Sequence, residues 1–318
     1  MELFKKLNEK AKSVVNSGFG SNANNYGGRF LNKDGSANVS KRGMNIFSRI
    51  SWHHTMIELP SWKFLTILFA FYIVINFIFA FGYYCIGIEY LNGIDPSGSE
   101  LYKFWKAFFF STQTFTTVGY GHISPNGILS SALAATEALI GLLSFGIATG
   151  LFFGRFSKPT AYLKFSHNAI IAPYGEISAL MLRTTPYKNT NFTDAEVKMT
   201  LGMQVEEDGK MTNKFYALDL ELSKINLLTL SWTLVHPITE NSPLYKFTKE
   251  DFENIEGEIM VFIKTFDNMF SAVVNTSTSY TFKEVIYGAK FEIMYSQNKS
   301  KTILHLDKLD SYHKVDID

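Results

Sequence analysis

The sequence lacks the features that define several common protein classes. It has one cysteine, Cys85, among 318 residues, which excludes an intrachain disulfide and a cysteine-based zinc site. Its 30 basic and 29 acidic side chains nearly cancel, so it lacks the positive excess that nucleic-acid binding usually requires. It contains no GxSxG, HExxH or phosphate-loop motif, and no apolar N-terminal stretch typical of a cleaved signal peptide. We therefore expect neither an enzyme nor a nucleic-acid-binding protein.

What the chain does have is two long apolar runs. Hydrophobic side chains make up 46% of the residues and aromatic side chains 15%, which is too apolar for a disordered chain. Residues 64–88 carry no charged side chain, and residues 127–154 carry one, Glu137. Each run exceeds the roughly 20 residues that cross a bilayer as a helix. The alternative, a pair of core helices in a soluble domain, rarely gives runs that are apolar on every face, so we predict two membrane spans.

The distribution of basic residues predicts the orientation of these spans. Nine Lys and Arg lie within residues 1–62, whereas the segment between the two spans has only Lys103 and Lys106. Loops rich in Lys and Arg stay on the cytoplasmic side of a membrane. We therefore expect a multi-pass protein with both termini in the cytoplasm.

The second half of the chain has a different pattern. Segments such as EVKMTLGMQV, LLTLSWTLVH, EIMVFIKTF and SAVVNTSTSYTF alternate apolar and polar residues, which is typical of short strands. Successive strands without intervening long helices favour a β-sandwich of immunoglobulin-like type. The fold class is therefore an α+β membrane protein. The predicted segments are an N-terminal arm (1–44), an interfacial helix (45–60), a pore domain (61–157) and a cytoplasmic β-sandwich (158–318).

The segment between the spans carries the chemistry. The stretch LYKFWKAFFFSTQTF suits a short re-entrant helix, and it leads directly into the residues Thr116-Thr117-Val118-Gly119-Tyr120-Gly121. Irregular backbone at membrane depth is tolerated only where it is buried in protein or lines a water-filled path. The sequence TVGYG is the known signature of potassium-channel selectivity filters, whose carbonyl oxygens replace the hydration shell of K⁺. The predicted filter consists of Thr117, Val118, Gly119, Tyr120 and Gly121, with K⁺ bound at Thr117, Val118, Gly119 and Tyr120.

One filter strand cannot surround an ion, so the motif also predicts an assembly. Four chains around a central axis would close the ring of oxygens, which makes the protein a C4 homotetramer. Glycines at Gly119 and Gly121 permit backbone angles that a Cβ would forbid. We therefore expect K⁺ to be the permeant ion, and we expect no cofactor.

Further motifs give the chain a resemblance to a known family. Besides TFTTVGYG, these are RFLNKDGSANV at 29–39, GRFSKPT at 154–160, FSHNAII at 165–171, ALMLR at 179–183 and HPITENSPLY at 236–245. Together they resemble inward-rectifier potassium channels, and more specifically the prokaryotic branch. The resemblance implies a bacterial inner-membrane channel with an interfacial slide helix, which RISWHHTMIE (49–58) fits, and an inner-helix gate. RFLNKDGSANV itself suits an edge strand.

The resemblance also assigns residues to the pore. The inner-helix position at which strong rectifiers place a carboxylate falls on Phe145, and the inner constriction falls on Phe153, about a turn beyond Thr149. Four Phe153 rings would close a hydrophobic gate. The acidic ring position of the cytoplasmic pore corresponds to Lys264, which should weaken the focusing of cations. Weak rectification by Mg²⁺ or polyamines is the resulting prediction.

Two residues are predicted to support the filter. Gln113 stands where many relatives have a pore-helix glutamate, which leaves any salt bridge there in doubt. Glu137 lies in the second span, and a carboxylate facing lipid would be costly, so it should face the rear of the filter or the cavity. A structural brace and a role in the ion pathway are both open for Glu137.

Four residues at the inner membrane face match the family's anionic-lipid site. These are Trp62, Lys63, Arg155 and Lys158, and the partner they imply is an anionic phospholipid. The alternative is that they are ordinary snorkelling residues that set the depth of the helices. For the whole protein, the main alternative to a channel is a non-conducting membrane-anchored module whose β-sandwich binds a partner. A non-selective cation channel is disfavoured by the intact TVGYG.

Overall fold

The computed structural model describes residues 13, 29–40, 42, 43, 45, 51–207, 210–298 and 301–317. The chain forms two compact units, of which the first contains residues 42–158 and the second contains residues 1–41 and 159–318. The four segments predicted from the sequence remain a prediction. Most of the predicted arm (1–44) and the first part of the predicted interfacial helix (45–60) lie outside the described residues.

Helices build the first unit, together with a two-stranded ladder of β1 (Leu91–Asn92) and β2 (Ser124–Pro125). A proline limits the first two helices, because the residue before Pro60 is disfavoured in a helix and Pro60 itself suits the start of the next one. The second and fourth helices are long and apolar enough to cross a membrane. The helices are α1 (Trp52–Glu58), α2 (Ser61–Ile86), α3 (Glu100–Phe115) and α4 (Ile128–Phe156).

The short helix α3 packs between the two long helices. Its apolar side chains join those of α2 and α4 in one buried cluster, which includes Phe79, Tyr83, Ala107, Phe108 and Phe110. Aromatic rings reinforce the contact, since Phe77 of α2 lies 4.7 Å from Phe108, centroid to centroid. The outward-facing side chains of the long helices are apolar and exposed. This is the arrangement expected when lipid rather than water surrounds the unit.

The second unit is a β-sandwich of two five-stranded sheets. One sheet has the order β11-β10-β6-β7, with β8 also paired to β6, and all its pairings are antiparallel. The other has the order β12-β4-β5-β3, with β9 paired to β5, and β12 runs parallel to β4. The strands of the two sheets are β3 (Leu163–Phe165), β4 (Ala169–Tyr174), β5 (Ile177–Pro186), β6 (Phe192–Glu207), β7 (Lys210–Leu218), β8 (Lys224–Leu228), β9 (Trp232–Pro237), β10 (Gly257–Asp267), β11 (Ala272–Thr281) and β12 (Val285–Tyr287).

Alternating residues of both sheets meet in one buried core, to which Leu180, Phe192, Leu201, Leu234 and Ile259 belong. The predicted strand LLTLSWTLVH, in contrast, is two strands. Its first residues end β8 in one sheet, and the strand β9 begins at Trp232 in the other. Alternation alone does not show that the chain changes sheets there. The remaining elements are α5 (Lys249–Asn254), β13 (Ala289–Phe291) paired with β16 (Tyr312–Lys314), and β14 (Tyr295–Asn298) paired with β15 (Lys301–Leu304).

Residues 29–39 attach to β11 of the same unit in an unexpected way. The segment is not an edge strand as predicted, because it folds into a turn closed by a bridge between Leu31 and Ala37. Side chains rather than a backbone ladder fix it to the sheet. Three consecutive hydroxyls of β11 donate to alternate carbonyls of the segment: Ser279 to Leu31, Thr278 to Lys33 and Ser277 to Gly35.

Candidate selectivity filter and its supporting residues

The helix α3 carries the filter segment at its C-terminal end. Its N-cap is Ser99, whose hydroxyl accepts a hydrogen bond from the Tyr102 amide, so the helix has a defined start. It ends at Phe115, and the chain turns back over its last turn. The amides of Val118 and Gly119 both donate to the carbonyl of Gln113, at 2.9 and 3.3 Å. The filter is thus hydrogen-bonded to the helix that precedes it.

Every second residue of the filter segment has a positive φ. Thr117, Gly119 and Gly121 have φ values of 58°, 54° and 77°, whereas Val118 and Tyr120 are not in the left-handed region. Alternation of left-handed and right-handed residues turns successive amides to one side of the strand and leaves the carbonyls to the other. Thr117 adopts this conformation without being glycine, at a cost of about 1–2 kcal/mol. An alternating backbone of this kind is compatible with a column of carbonyl oxygens.

Among the residues that the structure describes, no other segment covers the filter. Every residue from 116 to 122 is exposed, and Tyr120 retains 79% of its accessible surface. In contrast, Phe115 and Ile123 on either side are buried. The segment thus exposes apolar side chains at Val118 and Tyr120, which is typical of a surface that binds a partner.

The two predicted support residues are placed differently. Gln113 contributes its backbone carbonyl to the filter amides, as described above. Glu137 is fully buried and contacts Ser111 in the last turns of α3 rather than the filter loop. Its carboxyl oxygens meet two hydroxyls: Tyr83 of α2 at 2.6 Å, and Ser111 of α3 in close contact. Glu137 of α4 thus contacts both α2 and α3, and neither partner was apparent from the sequence pattern.

Gly141 is a site residue that sequence reasoning missed. It lies on α4 against the C-terminal end of α3, and a Cβ at this position would be 1.9 Å from the Phe115 carbonyl oxygen. The signal in the sequence was a glycine inside a helix, which often marks a close backbone approach. Phe115 directly precedes the filter segment. This contact therefore sets the distance between α4, the inner helix, and the start of the filter at Thr116 and Thr117.

The predicted pore residues of α4 share one face. Phe145, Thr149 and Phe153 are spaced four apart, and the Thr149 hydroxyl donates to the Phe145 carbonyl at 2.9 Å. Both phenylalanines are largely exposed in the chain, by 74% and 73%. An apolar cavity of about 660 Å³ adjoins this region and is lined by residues that include Thr116, Thr117 and Phe145. The same cavity thus adjoins both the start of the filter segment and Phe145.

The predicted lipid residues divide into two pairs. Trp62 and Lys63 are exposed, and the Lys63 ammonium lies 5.4 Å from the Trp62 ring centre. Arg155 already has partners: its guanidinium donates to the carbonyls of Met56, Ile57 and Leu59, at 2.7 to 2.9 Å.

Lys158, the fourth predicted lipid residue, donates to the Glu58 carboxylate at 3.0 Å. This hydrogen bond holds the pKa of Glu58 below its ordinary value. Arg155 and Lys158 therefore link α4 to the first helix, α1, in addition to any contact with lipid.

Lys264 lies on β10 in the second unit and is exposed. In the register of the sheet it stands between Glu196 of β6 and Asn275 of β11. The carboxylate of Glu196 in turn lies 4.0 Å from the Lys198 ammonium. This face of the sheet thus carries charges of both signs, with two lysines to one glutamate among these residues.

Comparison with protein families supports this assignment. The family described as "Inward rectifier potassium channel C-terminal domain" matches residues 163–318, which is the β-sandwich. A second family, described as "Ion channel", matches residues 67–158, which contain both long helices and the filter. The two matches together cover most of the described structure and meet at the boundary between the two units.

Individual relatives cover nearly the whole chain. Inward rectifier potassium channel Kirbac3.1 of Paramagnetospirillum magnetotacticum is 32% identical over 265 residues, covering 83% of this chain and 88% of that protein. ATP-sensitive inward rectifier potassium channel 12 of Gallus gallus and inward rectifier potassium channel 18 of Homo sapiens are each 23% identical, covering 86% of this chain and 68% of theirs. With the filter geometry and the β-sandwich, these matches show that the chain is a membrane protein of the inward rectifier potassium channel family.

Proposed function

We propose that four copies of this chain form a homotetramer that passes K⁺ across a membrane, with K⁺ coordinated at Thr117, Val118, Gly119 and Tyr120. The observation that carries the proposal is the filter: an alternating backbone, hydrogen-bonded to the preceding helix and exposed in the single chain. Family membership supplies the class of ion. No cofactor other than the permeant ion is needed for this function.

The distribution of basic residues and the similarity to a bacterial channel support a location for the protein. We place both termini in the cytoplasm, because the basic residues concentrate before the first span. The similarity to a bacterial channel supports a bacterial inner membrane. On this topology the β-sandwich, which follows the second span, lies on the cytoplasmic side of the membrane.

The inner helix supports a proposal for gating and rectification. Phe153 is exposed on the face that it shares with Phe145 and Thr149, so four copies would present a ring of phenyl groups to the axis. Neither Phe145 nor Lys264 offers a carboxylate to a blocking cation. We therefore expect weak rectification by Mg²⁺ or polyamines.

Lipid modulation belongs to the same proposal. Trp62 and Lys63 are exposed at the start of α2 and are available to an anionic headgroup. Lys158 is exposed as well, although it pairs with Glu58. Arg155 would affect channel function mainly by holding α1, because its guanidinium donates hydrogen bonds to the carbonyls at the end of that helix.

Ion flux in liposomes tests the function. Purified protein should take up Rb⁺ or K⁺ in a Ba²⁺-sensitive manner, discriminate against Na⁺, and change its rate with the content of anionic phospholipid. Gly119→Ala should abolish uptake, because its φ of 54° is unfavourable for a residue with a Cβ. Gly150→Ala, on α4 with no atom within 4 Å of the added Cβ, is the matched control.

Three outcomes would oppose parts of the proposal. Absence of flux under every lipid composition would favour the non-conducting membrane module. Equal passage of Na⁺ and K⁺ would favour a non-selective channel. Steep voltage-dependent block from the cytoplasmic side in patch recordings would contradict weak rectification while leaving selectivity intact.

A further inference from the structure

Glu137 is a buried carboxyl group whose surroundings consist of hydroxyls and an amide. Tyr83 donates to one carboxyl oxygen, and Ser111 contacts the other. Within the described part of the chain these two hydroxyls are its hydrogen-bond partners, and no Lys, Arg or His pairs with it. A carboxylate in this position would be an uncompensated negative charge inside the membrane-spanning unit.

The orientation of Asn76 is fixed by a backbone contact. Its Nδ2 lies 2.7 Å from the carbonyl oxygen of Tyr72, which can only accept a hydrogen bond. The amide nitrogen must therefore be on that side, and the side-chain oxygen must point toward Ser111, at 2.9 Å from the Ser111 hydroxyl oxygen. The side-chain oxygen of Asn76 is consequently a buried acceptor that needs a donor.

The Ser111 hydroxyl has one proton to donate but three acceptor oxygens within reach. Its hydroxyl oxygen lies within hydrogen-bond distance of the Asn76 side-chain oxygen, the Asn76 backbone carbonyl and a Glu137 carboxyl oxygen. If Glu137 were ionised, Ser111 could donate either to the carboxylate or to the Asn76 amide, but not to both. In either case one buried oxygen would face another oxygen with no proton between them, which is unfavourable.

One additional proton satisfies every group. A protonated Glu137 donates to the Ser111 hydroxyl, Ser111 donates to the Asn76 side-chain oxygen, and Asn76 donates to Tyr72. Tyr83 donates to the second carboxyl oxygen. We propose that Glu137 is protonated at neutral pH and acts as a hydrogen-bond donor that positions the pore helix α3 beneath the filter.

The position of Ser111 gives this chain of hydrogen bonds its consequence. Ser111 precedes Gln113 by two residues, and the Gln113 carbonyl holds the amides of Val118 and Gly119. A donor on the inner helix α4 therefore fixes the last turns of α3, and through them the filter. Glu137 is a positioning residue, because it reaches the ion pathway only through Ser111.

The surrounding elements contain few groups that would compete for this proton. From α2 the titratable group facing Glu137 is Tyr83. The charged residues of α3 are engaged near its start: Lys103 pairs with Glu100, and Lys106 lies over the Tyr102 ring. Neither lysine contacts Glu137, so neither would stabilise its carboxylate.

Substitution by glutamine distinguishes the two charge states. In Glu137→Gln the amide NH₂ donates to Ser111 and the amide oxygen accepts from Tyr83, which reproduces the protonated acid. We expect the full-length tetramer with this substitution to keep its thermal midpoint and its K⁺ flux. Glu137→Ala removes donor and acceptor together, and we expect its flux to fall by about tenfold or more, or the tetramer not to assemble. Thr136→Val, on the exposed side of α4, is the matched control.

Infrared spectroscopy reports the proton directly. The difference spectrum of wild type against Glu137→Gln should contain the C=O stretch of a protonated carboxylic acid at neutral pH. A carboxylate band in its place would overturn the proposal, as would a Glu137→Gln variant that is as unstable as Glu137→Ala. The spectrum and the thermal midpoint do not depend on conduction, so their failure is distinguishable from a failure of the proposed channel function.

Discussion

At the scale of single residues, Gly141 determines how closely the inner helix approaches the filter. The hydrogen atom of this glycine faces the backbone of Phe115, the last residue of α3. A Cβ would lie 1.9 Å from the carbonyl oxygen and 2.8 Å from the carbonyl carbon. Backbone atoms cannot rotate away as a flexible side chain can, so any relief requires that α4 or the end of α3 move.

We predict that Gly141→Ala disrupts the channel. The displacement should cost about 1–3 kcal/mol, as overpacking of a tight contact usually does, and it should reach the filter two residues beyond Phe115. K⁺ flux and the elution volume of the purified protein measure the effect. Gly146→Ala, on the same helix with no atom of the chain within 4 Å of the added Cβ, should leave both unchanged. Equal behaviour of the two variants would show that the close contact is not needed.

In the second unit, His236 is a buried titratable residue. Its Nδ1 donates to the Asp219 carbonyl at 2.6 Å, and its Nε2 accepts from the Ser242 hydroxyl at 2.8 Å. Burial lowers the pKa of His236 below 6.5, and the Asp219 carbonyl opposes this shift only in part. The folded protein thus holds the imidazole in its neutral form more strongly than the unfolded chain does.

This shift predicts a loss of stability in acid. Because the pKa is lower in the folded state, the unfolded chain binds the proton more readily, so the contribution of His236 is complete above pH 6.5 and is lost as the pH falls toward the folded pKa. Thermal midpoints measured at about pH 7.5 and about pH 5.5 should differ, and His236→Gln should reduce the difference. His313→Gln, at an exposed position, is the control that should leave it unchanged. A midpoint that is the same at both pH values would contradict the prediction.

At the scale of elements, Arg155 joins the end of the inner helix to α1. The last carbonyls of a helix have no partners within it, and Arg155 supplies donors to three carbonyls at the end of α1. Its guanidinium also lies 4.6 Å from the Phe64 ring centre. The planar arrangement of its donors suits this task, and a lysine ammonium cannot reproduce it.

We expect Arg155→Lys to lower the thermal midpoint of the channel and its flux. Hydrogen bonds from a charged group contribute about 1.5–3 kcal/mol, and most of them would be lost. The loss should be similar in liposomes of zwitterionic and of anionic lipid, because the acceptors are backbone carbonyls. Lys158→Ala, which breaks an exposed ion pair, should have only a small effect on the thermal midpoint. An effect of Arg155→Lys confined to anionic liposomes would restore the lipid-binding role as the main one.

The elements also show where sequence patterns carry information. The predicted spans, 64–88 and 127–154, correspond to Ser61–Ile86 and Ile128–Phe156, because a long apolar run and its flanking proline and glycines are local features. The pore helix was predicted for the same reason. The conformation of residues 29–39 was not predicted correctly. Their attachment to β11 depends on side-chain hydroxyls that are distant in the sequence.

At the scale of the whole molecule, the exposure of the filter supports the proposed assembly of several copies of the chain. A single protomer leaves the filter residues open, with Val118 at 53% and Tyr120 at 79% exposure. Four carbonyl columns around an axis would cover them and would create ion sites that no protomer has alone. In the proposed tetramer, ion binding and assembly would therefore be linked, because K⁺ would bind the assembled chains and not the separated ones.

We predict that K⁺ stabilises the tetramer. Native mass spectrometry should give a particle of four 36.0 kDa chains. The temperature at which it dissociates should be higher in KCl than in NaCl, because a ligand of the assembled state alone shifts the equilibrium toward it. Gly119→Ala should remove the difference between the two salts. A monomer, a dimer or equal dissociation temperatures in both salts would contradict the tetrameric filter.

Local sequence patterns were enough to predict the class of this protein. Apolar runs, strand alternation and the TVGYG motif are properties of neighbouring residues, so they survive without knowledge of the fold. The contacts of Glu137, Gly141 and Arg155, in contrast, depend on how distant elements pack. Glu137 meets Tyr83 from 54 positions away, and Arg155 meets Met56 from 99 positions away. The periodicity of apolar residues predicts which face of a helix is buried. The residues that this face contacts depend on the packing of elements that are far apart in the chain.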